Sequence, residues 1–236
     1  MQIGGLQKLT LIDFPGKLAC TVFCLGCNFR CPFCYNPELV LPKKIRNQPR
    51  ILERLFFNFL KERKGLLEGV TIGGGEPTIY KDLPDFIKKI KKLGYLVKLD
   101  TNGSNPRMLK DLIDQKLVDY VAMDIKAPKE RYYEVVGRPK KENAKLVKDV
   151  EKSIKILKEN QIDHEFRTTL APVLLNKKDI LKIAKWIFPA KRYFLQNFQS
   201  QKTVDSLFEK IKPYPQEYLL EIQKVISPFF EVCQIR

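Results

Sequence analysis

Apolar residues recur along this chain at two alternating periods. LACTVFC (18–24), GVTIGG (69–74), GYLVKLDTNG (94–103), VDYVAMDIK (118–126), HEFRTTLAP (164–172) and KRYFLQNF (191–198) are short apolar or β-branched runs, and each predicts a strand. Between them, apolar residues stand three or four apart. Over 50–64, Ile51, Leu55 and Phe59 join Leu52, Phe56 and Leu60 in one broad helical face. Leu83, Phe86, Ile87, Ile90 and Leu93 do the same over 82–93. Pro106 opens a helix carrying Leu109, Leu112 and Ile113. Ala144, Val147, Val150, Ile154 and Leu157 mark a long helix over 144–157, and 177–188 a further one. Residues 203–226 read as helical with a break at Pro213 and Pro215. Strand and helix therefore alternate about six times, which predicts an α/β fold with a parallel sheet and crossover helices.

In parallel α/β folds, sites gather at the carboxyl ends of the strands. The chain's unusual stretches fall there. A cysteine cluster follows the first strand, GGGEP (73–77) the second, DTNG (100–103) the third and DIK (124–126) the fourth. An explanation from packing alone has to treat these four positions as coincidence.

Composition narrows the chemistry. A chain of 236 residues buries a core without help from disulfides. The N-terminus has no signal-peptide form and no stretch is apolar enough to span a bilayer, so the cytoplasm and reduced thiols are expected, with no membrane partner. Forty-three Lys and Arg against 27 Asp and Glu give a net charge of +16, which suits an acidic partner. The lysines are dispersed through amphipathic helices rather than gathered on one basic face, so nucleic acid is not favoured.

Four of the six cysteines lie between 24 and 34, and Cys27, Cys31 and Cys34 form C-x3-C-x2-C. Three thiolates on one loop suit iron–sulfur or zinc, and inert or redox thiols also stay open. Zinc lacks an evident fourth ligand, because no second C-x2-C follows and the lone His164 lies far downstream. Cys20 and Cys24 share one face of a strand and read as buried small apolar residues. GGGEP and DTNG each have a plain reading as turns. Asp124 and Lys126 share a strand face, Arg167 has a plain reading as a surface ion pair, and His164 has no assigned role. Gln196 and Asn197 end the sixth strand.

CNFRCPFC (27–34) resembles the signature of the radical S-adenosylmethionine (radical SAM) enzymes. GGEP after the second strand matches an element of the same family, and the D-x-P-G pattern of LTLIDFPGK (9–17) ahead of the first resembles that of activators of glycyl-radical enzymes. The resemblance covers roughly 6–200, and the best match is to activators of anaerobic ribonucleoside-triphosphate reductase. It implies a partial, open (β/α)6 TIM-like barrel. It also implies a single radical SAM domain over 1–236, with a lead-in (1–17) and a C-terminal helical extension (about 200–236). Cys27, Cys31 and Cys34 are then ligands of a 4Fe–4S cluster whose open iron receives the methionine moiety of S-adenosylmethionine. Phe33 lies near the adenine, and Gly74, Gly75 and Glu76 at the methionine amino group. Asp100, Asn102, Asp124, Lys126 and Arg167 line the rest of the cofactor site, and Asp100, Thr101 and Asp124 resemble a monovalent-cation site. No catalytic side chain is assigned beyond cluster and cofactor.

The implied reaction is reductive cleavage to a 5′-deoxyadenosyl radical. That radical abstracts hydrogen from a glycine of a large partner, with anaerobic ribonucleotide reductase expected, and a flavodoxin or ferredoxin-like protein supplies the electron. Tyr35 stands where many activators have histidine. Only Cys233 lies beyond residue 34, which argues against branches that carry a second cluster. Two other readings stay open: a radical SAM enzyme modifying a nucleobase or tRNA, and a non-catalytic zinc-binding interaction protein.

Overall fold

The computed structural model describes residues 1–236. Strand β1 (Ile3–Thr10) runs antiparallel to β2 (Ala19–Cys24). There follow α1 (Pro37–Val40), α2 (Pro42–Ile45), α3 (Glu53–Glu62), β3 (Gly69–Gly74), α4 (Leu83–Lys92), β4 (Leu96–Thr101), α5 (Pro106–Asp114) and β5 (Tyr120–Asp124). The chain continues through α6 (Tyr132–Val135), α7 (Asn143–Glu159), β6 (Asp163–Leu170), α8 (Lys177–Ile187), β7 (Arg192–Asn197), α9 (Gln216–Ile226) and β8 (Val232–Ile235). Hydrogen-bonded strand order follows chain order from β1 to β8. β2, β3 and β4 pair in parallel, as do β6, β7 and β8.

All six expected strands form, each within a few residues of the run that predicts it. β1 and β8 do not stand out in the sequence: two glycines interrupt the first, and the second has only four residues. The helical reading of 203–226 holds only from Gln216; Ser206–Lys210 forms a 3-10 turn.

Contacts divide the chain into two compact units. The first comprises Met1–Asn28, Glu38–Thr101 and Arg107–Val121, and the second Phe29–Pro37, Asn102–Pro106 and Ala122–Arg236. In the first, β3 is buried on both faces, as a parallel strand covered by helices must be. Val22, Val70, Ile72, Val97 and Leu99 are fully buried. Helices α3 and α4 add Phe56 and Phe86, whose rings stack at 5.5 Å. Each such side chain contributes about 1.5–3 kcal/mol on burial. In the second, Phe166, Leu170, Leu195, Ile180 and Ile183 form the fully buried centre, and Asn176 and Asp179 close a reciprocal capping box at the start of α8.

The second unit also buries a charge. Glu165 on β6 is fully buried, and Arg236 reaches it with two bonds, Nη1 to Oε1 at 2.9 Å and Nη2 to Oε2 at 3.2 Å. The same guanidinium lies 3.5 Å from the Phe194 ring centroid. Removing one partner of such a pair strands the other. Arg236→Met is therefore expected to lower unfolding stability by about 3 kcal/mol in urea titration. Adding Glu165→Gln is expected to restore part of the loss, because the neutral amide no longer needs a cation.

Candidate cofactor site at the strand ends

In the first unit the ends of β2 and β3 are joined through their backbones. The Gly75 amide donates to the Cys24 carbonyl (2.9 Å) and the Glu76 amide to the Gly26 carbonyl (2.8 Å). Gly26 in turn donates to Leu39 (2.6 Å). A Cβ on Gly75 would lie 1.9 Å from the Gly26 oxygen. Gly74 sits at φ +100°, where a Cβ would meet Cys24 N at 2.7 Å. Both glycines are thus required by the chain's own packing as well as by any close approach of backbone to ligand. Cys27 follows directly from this junction and is half-buried.

Glu76 is 1 % exposed. Its Oε1 accepts from the Thr78 amide (3.1 Å), Thr78 Oγ1 (2.5 Å) and Thr101 Oγ1 (2.7 Å). These bonds make it the brace of the turn after β3. Cys20 and Cys24 are fully buried. Burial pushes the Cys20 thiol up to about 12, and burial followed by the Glu76 charge raises that of Cys24, so both stay protonated and unreactive. Asp100 pairs with the buried Lys98 two residues earlier on β4.

The second unit holds the rest of the cysteine loop. The Cys34 amide closes a turn on the Cys31 carbonyl (3.1 Å), and the Arg30 amide donates to Val136 (2.8 Å). The Val204 and Asp205 amides donate to the carbonyls of Cys34 (2.9 Å) and Pro32 (3.0 Å). Cys31 and Phe33 are buried and Cys34 is half-buried. Nothing in the side chains of Val204 and Asp205 signals that their amides secure the loop. Asn102 braces its own turn, its Oδ1 accepting from Ser104 N (3.0 Å) and Oγ (2.6 Å).

Asp124, Lys126 and Arg167 come together. Lys126 Nζ donates to Asp124 Oδ2 at 2.9 Å and Arg167 Nε to Oδ1 at 2.8 Å. Burial alone would raise the Asp124 carboxyl, but the Arg167 and Lys126 cations outweigh it and hold it down at about 2. Burial likewise opposes the Lys126 ammonium, which the Asp124 carboxylate and then Cys31 keep charged. The plain reading of Arg167 as a surface ion pair is thus half right: the pair exists, but it is largely buried, with the Arg167 side chain 12 % exposed. His164 stands near the start of β6, three residues before Arg167, its Nδ1 3.0 Å from the Ile162 carbonyl. Asn197 Nδ2 is taken up by the Tyr214 carbonyl (2.9 Å). No three His, Cys, Asp or Glu side chains converge on a single-ion site.

The description of the radical SAM superfamily matches residues 21–187, and the chain belongs to that superfamily. It is accordingly a radical SAM enzyme of oxidoreductase type, which sets aside the non-catalytic zinc reading. Its homologues include activators of glycyl-radical enzymes. The "Putative glycyl-radical enzyme activating enzyme" of Methanocaldococcus jannaschii is 33% identical over 238 residues, 99% of this chain and 95% of that protein. The pyruvate formate-lyase-activating enzyme of Clostridium pasteurianum is 28% identical, covering 79% and 76%. The expected best match fares less well: the anaerobic ribonucleoside-triphosphate reductase-activating protein of Escherichia coli is 25% identical over 50% of this chain and 83% of its own. The reductase activators are therefore not the best-supported relatives.

Streptococcus suis SuiB bound to S-adenosylmethionine superposes with a TM-score of 0.61 at 14% identity, over 91% of this chain and 48% of SuiB. The chain spans about half the length of that structure, and the likeness shows the fold, an open, partial α/β barrel. No helix is long and apolar enough to cross a membrane.

The Asp124 network sets a pH dependence. Its carboxyl is depressed, so its contribution is complete above the ordinary carboxylate range and is lost as pH falls through about 2. Arg167→Met is expected to shrink that contribution, about 2 kcal/mol at neutral pH, and to move its loss toward pH 4. Urea midpoints of the two chains compared between pH 5 and pH 2 test this.

Proposed function

We propose that this enzyme holds a 4Fe–4S cluster on Cys27, Cys31 and Cys34, cleaves S-adenosylmethionine reductively, and places a radical on a glycine of a large partner enzyme. The observation that carries the partner class is the match along nearly the whole of both chains to the M. jannaschii protein. When bound, cluster and S-adenosylmethionine together supply a one-electron cleavage that yields methionine and a 5′-deoxyadenosyl radical, which takes a hydrogen atom from that glycine.

The residues present fit this pair of groups. Soft thiolates on a short loop suit iron–sulfur, and three of them leave one iron open. The Lys126 ammonium stands close enough to Cys31 to attract its negative charge, which offsets the burial that opposes a thiolate there. Gly74 and Gly75 bring bare backbone to the strand ends, and Glu76 keeps that backbone in place, which supports a role for them at the methionine amino group. Asp124, flanked by Lys126 and Arg167, offers a fixed carboxylate to ribose hydroxyls and two cations to the methionine carboxylate. Phe33, already buried, supplies an apolar ring toward the adenine side. Asp100 and Asn102 complete the set.

A flavodoxin or ferredoxin-like protein is the electron donor in this reading. The net charge of +16 supports steering of acidic partners, an attraction that weakens with salt. Anaerobic ribonucleotide reductase is the partner to test first, with pyruvate formate-lyase beside it. Anaerobically reconstituted enzyme, reduced and given S-adenosylmethionine, is expected to generate a glycine-centred paramagnetic signal on one of them. One deoxyadenosine should form per radical, and a glycine-to-alanine partner should give no signal. Cys31→Ala is expected to abolish both products. Deoxyadenosine formed in step with a modified tRNA or free base, and no radical on either partner, overturns the proposal in favour of the nucleobase reading.

A further inference from the structure

Lys98, the partner of Asp100, is 1 % exposed in the middle of β4. Burying an ammonium is costly unless it is paired. Its partner is Asp100, two residues on and so on the same face of the strand. The parallel ladder sets Thr21 of β2, Thr71 of β3 and Lys98 of β4 in register, so their side chains point the same way. Thr71 Oγ1 is buried with no hydrogen-bond partner, and Lys98 Nζ stands 6.0 Å from the Tyr120 ring centroid. Hydroxyl oxygen, carboxylate and ring face together make a setting for a cation.

The family resemblance implies a monovalent metal ion at Asp100, Thr101 and Asp124. These residues do not fit one. Asp100 receives the Lys98 ammonium and Asp124 both Lys126 and Arg167, so each carboxylate's charge is already matched by a built-in cation, while the Thr101 hydroxyl donates a hydrogen bond to Glu76 at 2.7 Å. We propose that Lys98 is a covalently tethered counter-cation: its ammonium serves Asp100 in place of a metal ion, so the protein has no specific requirement for Na+ or K+. A tethered cation is held at high effective concentration and is not lost by dilution. The proposal extends the functional reading above, but it concerns the folded chain itself, so a stability measurement tests it whether or not the cluster assignment holds.

The experiment is thermal unfolding of the full chain in NaCl, KCl and tetramethylammonium chloride at one ionic strength, with thallous ion as a spectroscopic probe of binding. Wild-type protein is expected to unfold within about 1 °C of the same temperature in all three salts and to give no specific thallium-205 resonance broadening. Lys98→Met should unfold on the order of 10 °C lower in tetramethylammonium chloride, recover at least half of that in Na+ or K+, and bind thallous ion. Lys98→Gln, which keeps a polar end, serves as a second variant should the methionine chain not fold. Adding Asp100→Asn should remove the ion dependence. An ion-specific rise in the wild-type unfolding temperature overturns the proposal, and so does an equal loss in every salt for both variants.

Discussion

The first half of the candidate site hangs on one backbone junction. Gly75 and Glu76 donate their amides to Cys24 and Gly26, so the turns after β2 and β3 are fixed against each other without a side chain between them. That approach leaves no room for a Cβ at Gly75, and Gly74 beside it is held at positive φ against Cys24, so both positions require glycine. The turn leads directly into Cys27 on one side and into the Glu76 brace on the other. Glu76 then ties Thr78 and, through Thr101, the end of β4. A ligand offered backbone at this point meets a surface that is already immobilised.

Charge is arranged with equal economy. The carboxylates assigned to the site do not wait for a ligand to neutralise them: Asp100 meets Lys98 within its own strand, and Asp124 meets Lys126 and Arg167 within its own unit. Desolvating carboxylates at strand ends is costly, and each built-in cation offsets that before any cofactor binds. Glu165 and Arg236 repeat the device on β6. Polar groups of this kind are therefore preset in geometry and protonation, which limits the rearrangement needed on binding.

Much of this was legible in the sequence, for physical reasons that differ by element. GVTIGG and the helix over 82–93 have strong, uninterrupted periodicity, and β3 and α4 follow it. The placement of the cysteines, GGGEP, DTNG and DIK directly after successive strands was readable because each follows a short apolar run in the sequence. Other features rest on backbone or on tertiary context. The amides of Val204 and Asp205 that hold the cysteine loop carry no side-chain signature. Gly74, read as freeing space for a ligand, is also demanded by β2. Asn102 reads as a ligand contact with a plain turn as the alternative, and the bonds from Ser104 to its Oδ1, which fix the turn, depend on where the side chain points. Lys98 has the period-2 relation to Asp100 in plain view, but only a strand buried on both faces turns that relation into a buried ion pair. Arg236 is 71 residues from Glu165, beyond any local pattern.

In the proposed function everything turns on a cluster on the cysteine loop with one iron open to S-adenosylmethionine. The direct measurement is electron–nuclear double resonance on the reduced, reconstituted protein, using S-adenosylmethionine labelled with nitrogen-15 at the amino group and carbon-13 at the carboxylate. Hyperfine coupling from both labels to the reduced cluster is expected, and its loss in Cys27→Ala. Binding of the cofactor with no coupling from either label, or a protein that holds stoichiometric zinc and no sulfide, would contradict it.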